Sequence, residues 1–333
     1  MNVALVKLSS IGDVVHTLPV AATLRARLPQ ARITWIVERR EAAVLAGHPG
    51  LERVVTVDTR RWRRARTTGE LAEATRAILA VRRELSSTRF DVALDLQGLI
   101  KSGLLVRLTR APLRVGFDRG WCRERLSVLA TNRRVMPPAH ARHVVDQYLS
   151  LLTALGVDGR SLEFRLPSDS AAEARMDELF ASAGLKPRDR VVVLNPGAGR
   201  PDKRWPIERF RALVVALTAG DGARVVVVWG PGEESDARAI ADAAGSHVVV
   251  APPTDLLALV ALLRRAGVVV AADTGPLHLA AALGTPCVGL YGPTRAERNG
   301  PYGAGHRTFQ AADGRVETIG VDAVATAVRE LLE

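Results

Sequence analysis

Short valine-rich runs alternate with helix-like segments along most of the chain, and this alternation constrains the fold more than any other feature. The runs predicted as strands cover residues 3–8, 32–37, 54–57, 92–95, 114–116, 191–195, 224–229, 248–250, 268–272 and 288–290. Strands this apolar, with helices between them, are typical of parallel sheets covered on both faces. Because the pattern occurs twice, we predict an α/β chain of two doubly wound, Rossmann-like domains that face each other across a central cleft.

The predicted helices divide the chain into the same two halves. They cover residues 14–27, 69–85, 100–108 and 144–155, and then 207–219, 233–244, 256–265 and 276–283. A linker is predicted near residues 156–167, so residues 1–160 are assigned to the first domain and 161–320 to the second, and both sizes suit compact domains. The final residues, 321–333, contain a predicted helix at 321–332 that is expected to pack back on the first domain.

Composition and cysteine use exclude several classes of protein. Hydrophobic residues make up 47% of the 333 residues, which is enough for full cores. The two cysteines, Cys122 and Cys287, are far apart and belong to no Cys/His cluster, so neither a disulfide framework nor a structural zinc is expected. The first residues predict a strand rather than a signal peptide, and no apolar run approaches a membrane span of about 20 residues. We therefore expect a cytoplasmic protein that is soluble or peripheral to a membrane.

Basic residues are concentrated in the first half of the chain. Residues 1–165 hold 28 Lys and Arg against 15 Asp and Glu, a net charge of +13, whereas residues 166–333 have a net charge of −2. The densest cluster surrounds Trp62 and consists of Arg60, Arg61, Arg63, Arg64 and Arg66. Such a cluster predicts an anionic partner, which could be a nucleic acid, an acidic membrane surface or an anionic substrate. The alternative is a solvated loop in a chain that is rich in arginine throughout.

A phosphate site is predicted where the strand at 268–272 meets the next helix. The strand stops at Asp273-Thr274-Gly275, and an Ala/Leu-rich helix begins at once, with His278 about one turn into it. Free backbone N–H groups at a helix start, with the positive end of the helix dipole, bind anions. The alternative is an ordinary strand–turn–helix connection with Gly in the turn.

Three further loops at predicted strand ends carry polar residues. In residues 8–19, Ser10 and Gly12 precede Asp13, which could act as a general base or merely cap the helix. In residues 195–206, Gly197 and Lys203 predict phosphate binding by backbone and lysine, although a plain surface loop would also fit. In residues 229–234, Glu233 and Glu234 stand where an acidic residue holds ribose hydroxyls, and compensation of the helix dipole explains them almost as well.

Missing motifs narrow the choice of reaction. The chain has no G-x-x-x-x-G-K-[ST], and its first strand leads into S-S-I-G-D rather than G-x-G-x-x-G, which disfavours phosphate-loop NTPases and dinucleotide oxidoreductases. It also has no Asp-x-Asp that could clamp a metal and a diphosphate. The charge of a bound diphosphate would then be met by Lys203 and helix N-termini.

Several motifs together resemble the bacterial lipopolysaccharide heptosyltransferases, nearly from end to end of the chain. They are V-K-L-S-S-I-G-D-V-V-H-T-L-P at 6–19, R-R-W-R at 60–63, D-L-Q-G-L-I-K-S at 95–102, D-K-R-W-P at 202–206, W-G-P-G-E-E at 229–234, D-T-G-P-L-H-L-A-A-A-L at 273–283 and Y-G-P-T at 291–294. The R-R-W-R block and the H-T-L-P segment resemble the type I branch more than the type II branch. The resemblance implies a GT-B fold, with the acceptor bound by the first domain and the donor by the second.

The resemblance also implies a reaction and its participants. It implies inverting transfer of L-glycero-D-manno-heptose from ADP-heptose to a Kdo residue of Kdo-lipid A, at the anionic cytoplasmic face of the inner membrane, without a metal or other cofactor and without nucleic acid. Asp13 and Lys203 would be catalytic. The implied donor-binding residues are Gly12, Gly197, Lys203, Glu233, Glu234, Asp273, Thr274, Gly275 and His278. The implied acceptor-binding residues are Ser10, Arg60, Arg61, Arg63, Arg64, Gln97, Lys101 and Arg123.

Three alternatives remain open from the sequence. One is a type II heptosyltransferase or another nucleotide-sugar transferase of the same family. Another is a nucleotide-sugar epimerase on the same fold, which would need no lipid acceptor. The last is a binder of nucleic acid or an acidic polymer that uses the arginine cluster without chemistry. Incubation with ADP-heptose, with and without Kdo-lipid A, distinguishes transfer from the other two.

Overall fold

Two compact units make up the chain. The computed structural model describes residues 1–186 and 189–333. The units span Met1–Arg165 and Leu166–Glu333, so the division lies within the segment 156–167 that was predicted as the linker. Each unit has a parallel sheet built only from its own strands, with helices between consecutive strands in most places.

The first unit has a six-stranded sheet in the order β3-β2-β1-β4-β5-β6. Its strands are β1 (Asn2–Val6), β2 (Arg32–Glu38), β3 (Arg53–Val57), β4 (Val92–Asp95), β5 (Leu113–Phe117) and β6 (Arg133–Val135). Its helices are α1 (Ile11–Val15), α2 (Leu18–Arg27), α3 (Thr59–Arg64), α4 (Thr68–Ser86), α5 (Ile100–Leu108) and α6 (Val144–Ser150). In the centre of the sheet Leu5 of β1 is in register with Trp35 of β2 and Leu94 of β4, and all three side chains are fully buried.

The second unit repeats this architecture. Its sheet has the order β12-β11-β10-β7-β8-β9. Its strands are β7 (Val191–Asn195), β8 (Arg224–Val227), β9 (Val248–Val250), β10 (Val268–Ala272), β11 (Cys287–Tyr291) and β12 (Arg307–Gln310). Its helices are α7 (Ser170–Ser182), α8 (Ile207–Asp221), α9 (Glu234–Ala241), α10 (Leu256–Arg264), α11 (Gly275–Ala282), α12 (Ala296–Asn299) and α13 (Val321–Leu332). Strands β7 and β10 are buried along their whole length, as expected for a sheet covered on both faces.

The last helix, α13, packs within the second unit. It lies against α8 and against strands β10 and β11, and its apolar residues Val324 and Val328 are fully buried there. Gly267, just before β10, has no side chain because Leu332 occupies the space where a Cβ would be. The apolar face of the helix is thus buried against the sheet beside it. The expectation that this segment packs back on the first domain stays a prediction.

The predicted helix at 14–27 is two helices, α1 and α2. Pro19 has no backbone N–H to donate, so it is tolerated only in the first turn of a helix, and it occupies that position in α2. The break after Val15 leaves α1 short, and its first turn lies directly beyond the end of β1.

Both sheets share one strand order. If the strands of each unit are counted from its own beginning, both orders are 3-2-1-4-5-6, the order of Rossmann folds. In such sheets ligands bind beyond the carboxyl ends of strands 1 and 4, where the chain direction across the sheet reverses. These switch points lie at β1 and β4 in the first unit and at β7 and β10 in the second.

Candidate active site

Asp13 lies at the switch point of the first sheet, in the first turn of α1. Its Oδ2 accepts hydrogen bonds from the Ser10 backbone N–H at 3.0 Å and from the Ser10 hydroxyl at 3.2 Å. These bonds cap the helix, which is one of the two roles that the sequence left open. The Asp13 side chain is still 29% exposed, so capping leaves the carboxylate within reach of a ligand.

A buried lysine and a tyrosine surround the other carboxylate oxygen. The Tyr148 hydroxyl of α6 donates to Asp13 Oδ1 at 3.0 Å, and Lys7 Nζ lies 3.4 Å from the same oxygen. Lys7 also donates to the Tyr148 oxygen at 2.5 Å and to the Leu96 carbonyl at 3.0 Å. The Lys7 side chain is only 3% exposed, so its charge acts on Asp13 with little screening by water.

These neighbours fix the protonation state of Asp13. Burial alone would raise the pKa of its carboxyl, but the Lys7 ammonium, the Ser10 N–H, His16 and the Tyr148 hydroxyl together hold that pKa well below its usual range. Asp13 is therefore ionised at neutral pH and able to accept a proton. Because a carboxylate with a low pKa is a weak base, it would take that proton only as the attacking hydroxyl becomes acidic in the transition state.

Gln97, two residues beyond β4, holds the loop that leads to Asp13. Its Oε1 accepts from the backbone N–H groups of Leu8 and Ser9 at 2.9 and 3.3 Å, and its Nε2 donates to the Ser9 carbonyl at 2.9 Å. The residue is only 6% exposed. These contacts position the loop, and the expected contact of Gln97 with an acceptor stays a prediction.

Lys101 joins α5 to the beginning of α3. Its Nζ donates to Glu38 Oε1 at 3.1 Å and to the Thr59 hydroxyl at 3.0 Å. Glu38 is buried, so the Lys101 charge compensates a carboxylate that would otherwise be isolated. The ammonium is one-third exposed and lies next to the helix that carries the arginine cluster.

Four of the five arginines of the cluster lie in α3, with Arg66 just beyond it, and the helix borders an open pocket of about 640 Å³ in the first unit. Arg60 lies 3.7 Å from Glu41, and Arg61 lies 2.7 Å from Glu73. In the described parts of the chain, Arg63 and Arg64 have no carboxylate within 4.0 Å. Four arginines and three carboxylates line the pocket, namely Arg39, Arg60, Arg61, Arg64, Asp58, Glu70 and Glu73. The lining therefore has a small excess of positive charge, which favours an anionic ligand.

Arg123 lies apart from α3, on the exposed loop that follows β5. The backbone of Cys122 and Arg123 packs against Gly98, just before α5 begins. Within the described ranges no carboxylate lies within 4.0 Å of its guanidinium. Its charge is thus available to an anion, but no contact joins it to the cluster on α3.

Asp273 is the centre of the second unit's switch point, directly beyond β10. Lys203 Nζ donates to its Oδ2 at 2.7 Å and to its backbone carbonyl at 3.3 Å, and His278 Nε2 lies 3.0 Å from its Oδ1. Burial alone would raise the pKa of Asp273, but His278 and Lys203 hold it well below its usual range. The three residues that the sequence placed on two separate loops therefore form one charged cluster.

The neighbouring strand β7 supplies the other side of this switch point. Asn195, at its end, donates from Nδ2 to the Gly197 carbonyl at 2.9 Å and to the Thr274 hydroxyl at 3.3 Å. Thr274 is the residue that precedes α11, and Gly275 is the first residue of that helix. The loop after β7 and the N-terminus of α11 are thereby tied together. Asn195 was not predicted as a site residue, although it stands at the end of a buried strand.

The structure distinguishes between Glu233 and Glu234. The Glu233 carboxylate lies over Gly197, where any Cβ would clash with it, and it accepts from the Gly230 N–H and the Arg204 guanidinium at 3.0 Å each. Glu234 instead pairs with Arg238 at 2.5 Å, one turn along α9, and is 45% exposed. Glu233 is therefore the carboxylate that faces the predicted phosphate loop, while Glu234 faces outward.

Lys7 and Tyr148 were missed by the sequence analysis. Lys7 carried a usable signal, because a charged residue in an otherwise apolar strand is seldom buried without a partner. Tyr148 carried none, since its contact with Asp13 spans 135 residues of sequence.

Two further observations concern cofactors and membranes. In the part of the chain that the structure describes, no three His, Cys, Asp or Glu side chains are grouped as metal ligands. None of the helices described there combines the length and the apolarity needed to cross a bilayer.

The pattern of glycosyltransferase family 9, described as heptosyltransferase, matches residues 78–318, well over half of the chain. The chain belongs to glycosyltransferase family 9. It is similar to lipopolysaccharide heptosyltransferase 1 of Escherichia coli O18:K1:H7, with 31% identity over 100% of this chain and 98% of that protein. As a family 9 member it is a glycosyltransferase, which confirms the predicted enzyme class and family.

Solved structures of family 9 enzymes confirm the predicted fold class. The chain is similar to E. coli heptosyltransferase WaaC with ADP, at a TM-score of 0.81 and 31% identity, covering 99% of this chain and 100% of that one. It is also similar to the same enzyme with ADP-2-deoxy-2-fluoro heptose, at a TM-score of 0.79 and 32% identity, covering 99% of both chains. The fold is thus GT-B-like.

Proposed function

We propose that this family 9 enzyme transfers L-glycero-D-manno-heptose from ADP-heptose to a Kdo residue of Kdo-lipid A, with inversion at the anomeric carbon. The observation that carries the proposal is similarity over the whole chain to heptosyltransferase 1, in a chain with a charged cluster at each switch point. The two solved relatives were determined with ADP and with an ADP-heptose analogue, which supports ADP-heptose as the donor.

The donor is assigned to the second unit. The N-terminus of α11, at Thr274 and Gly275, and the Lys203 ammonium would meet the diphosphate, because oriented N–H groups and a cation stabilise its charge. Glu233 would accept hydrogen bonds from the ribose hydroxyls, with Gly197 leaving room for its carboxylate beside the phosphate loop. When ADP binds, Lys203 would exchange part of its contact with Asp273 for the phosphate oxygens, and His278 would keep Asp273 in place.

The transfer step is assigned to Asp13. The acceptor hydroxyl attacks the anomeric carbon of heptose while the bond from that carbon to the ADP oxygen breaks. The hydroxyl proton passes to the Asp13 carboxylate, and the negative charge that develops on ADP is met by Lys203 and the α11 backbone. No metal is assigned to this step, because Lys203 and the helix N-terminus supply the compensating charge.

The acceptor is assigned to the first unit. The Kdo carboxylates and lipid A phosphates would bind Arg60, Arg61 and Arg64, which line the α3 pocket, and Arg63 of the same helix, because planar guanidinium groups bind such anions in pairs of hydrogen bonds. Ser10, Gln97, Lys101 and Arg123 are assigned to the same ligand from the family resemblance. The net charge of +13 in residues 1–165 supports a peripheral position on the anionic membrane that holds this lipid.

The test is a transfer assay with defined substrates. Wild-type enzyme is incubated with ADP-heptose and Kdo-lipid A, and the product is identified by mass spectrometry. We expect one heptose added per acceptor and stoichiometric release of ADP. Transfer only to an acceptor that already carries heptose would identify a type II enzyme. Release of ADP or an isomerised sugar without any glycolipid product would contradict the proposal.

A further inference from the structure

Large apolar side chains are exposed on one face of the first unit. α5 exposes Ile100 (44%) and Leu104 (62%), and the adjoining 3₁₀ helix Arg125–Ala130 exposes Leu126 (60%) and Leu129 (71%). Single exposed leucines are common on soluble proteins, but a group of them marks a surface that meets something apolar.

The four side chains lie on two helical segments that pack directly against each other. Gly103 of α5 packs directly on the 3₁₀ helix, since a Cβ there would lie 2.8 Å from the Ala130 methyl group. Ile100 and Leu104 are one helical turn apart in α5, and Leu126 and Leu129 are one turn apart in a 3₁₀ helix, so each pair lies on one side of its helix. We call this surface, Ile100, Leu104, Leu126 and Leu129, the α5 face.

Two unpaired arginines flank the α5 face, where the Glu124 carboxylate accepts a hydrogen bond from the Ile100 N–H at 2.6 Å. Residues 101–136 contain nine Lys and Arg against two Asp and Glu. Arg107 and Arg125 are exposed beside the leucines, and no carboxylate of the described residues lies within 4.0 Å of either guanidinium. A second copy of this chain would bring like charges together across such an interface. A nucleic acid would satisfy the arginines but would not bury the leucines.

We infer that the α5 face inserts into the surface of an anionic lipid bilayer. The leucines would enter the boundary between headgroups and acyl chains, while Arg107 and Arg125 would stay at the level of the lipid phosphates. This inference rests on the proposed function, because a lipid acceptor requires the enzyme to work at a membrane. It adds a membrane-binding surface separate from the α3 pocket, and an apolar contribution to membrane affinity besides that of charge.

Vesicle binding tests the inference without any transfer reaction. Sedimentation with vesicles of phosphatidylethanolamine and phosphatidylglycerol is compared with vesicles of phosphatidylcholine alone. We expect wild-type protein to bind the anionic vesicles far more tightly. Leu104→Ser with Leu129→Ser should weaken that binding about tenfold or more, because the two side chains lose their burial in the bilayer. Arg107→Gln with Arg125→Gln should weaken binding at low salt and have little effect at high salt.

Matched controls separate this surface from general hydrophobicity and from misfolding. Leu162→Ser with Val215→Ser removes two apolar side chains that are each 47% exposed and lie elsewhere, and it should leave vesicle binding unchanged. ADP affinity, measured by calorimetry, should be unchanged in all three double variants, which shows that they are folded.

Three results would overturn the inference. They are equal binding of the leucine double variant and wild type to anionic vesicles, equal binding of wild type to both kinds of vesicle, and a wild-type dimer that the leucine substitutions convert to monomer. If wild-type protein binds anionic vesicles as expected but transfers no heptose, only the proposed function is contradicted. The two proposals therefore fail in different measurements.

Discussion

Two carboxylates of the candidate site, Asp13 and Asp273, are each held by several partners, some near and some far away in sequence. Asp13 is ionised because Lys7 and Tyr148 contact one oxygen while Ser10 contacts the other, and Asp273 is ionised because Lys203 and His278 contact it. In both clusters a carboxylate that burial would neutralise is kept charged by one cation and by hydrogen bonds. Single substitutions should therefore distinguish the loss of a reacting group from a change in the protonation state of a carboxylate.

Replacement of Asp13 by Asn should abolish most transfer. The amide preserves the shape of the side chain but cannot accept the hydroxyl proton, and loss of a general base lowers kcat by about 10²–10⁴-fold. Steady-state kinetics measures the effect, and calorimetry should show unchanged ADP affinity. Turnover close to that of wild type would show that Asp13 only caps α1.

Replacement of Tyr148 by Phe should change the pH dependence of kcat. The variant loses a hydrogen bond to the charged form of Asp13, so the pKa of Asp13 rises. In the wild type this pKa is depressed, and the base stays ionised as the pH falls. In the variant, the acid limb of the profile should move to higher pH, with little loss at alkaline pH. Tyr302→Phe is the matched control, and an equal loss at every pH would indicate a purely structural role.

Replacement of Lys203 by Ala should weaken ADP binding as well as kcat. It removes the cation nearest to the proposed diphosphate site and leaves Asp273 with His278 alone. A hydrogen bond between charged groups contributes about 1.5–3 kcal/mol, so the dissociation constant should rise roughly tenfold or more. Lys186→Ala, an exposed lysine of the same unit, serves as the control. Unchanged ADP affinity on calorimetry would show that Lys203 does not face the nucleotide.

At the scale of elements, the sequence predicts the buried strands well but misses two of the four edge strands. β4 and β7 and the helices α5 and α13 have the predicted bounds, because continuous apolar runs mark buried strands and apolar periodicity marks helices. The edge strands β6 and β12 were missed, since exposed, arginine-containing segments carry no such signal.

The same limit applies to the candidate site. Asp13, Lys203 and Asp273 follow buried strands or precede helices, so their loops could be read from the sequence. The contact of Tyr148 with Asp13 and the packing of Glu233 over Gly197 depend on tertiary structure. A pattern of local propensities cannot specify them.

The arginines of helix α3 are expected to determine the affinity for the acceptor together. Replacement of Arg60, Arg61, Arg63 and Arg64 by Gln should raise the acceptor KM strongly and flatten its salt dependence, because about 1 kcal/mol per basic residue is lost near an anionic surface. Kinetics at several salt concentrations measures both effects. A control variant removes the same charge from exposed positions of the same unit by replacing with Gln the four residues Arg76, Arg82, Arg83 and Arg89. If both variants behave alike, or if ADP affinity falls only in the α3 variant, the assignment of the acceptor to α3 is wrong.

At the scale of the whole molecule, the two units differ in net charge and in the ligand assigned to each. The first unit carries the net positive charge, the α3 pocket and the α5 face, whereas the second is close to neutral and carries the proposed nucleotide site. The anionic lipid acceptor would then meet a positive electrostatic potential on the first unit, whereas the nucleotide-sugar donor would bind to a unit of nearly neutral net charge.

The enzyme is expected to work without a divalent metal. No Asp-x-Asp occurs in the sequence, and Lys203 with the N-terminus of α11 is proposed to balance the diphosphate charge. Transfer rates should therefore stay the same after dialysis against a chelator. Loss of activity that magnesium or manganese restores would contradict this expectation, and calcium would be the control for a general ionic effect.

The central position of the first strand in each sheet has a consequence for the order of events during synthesis. β1 can pair fully only after β4 has left the ribosome, but all six strands of its sheet precede residue 136. The amino-terminal unit can thus fold while the rest of the chain is still being translated. The carboxyl-terminal unit must wait for its twelve-residue helix α13, so a nonsense codon just before Val321 would release a chain with a folded first half and an unfinished second core.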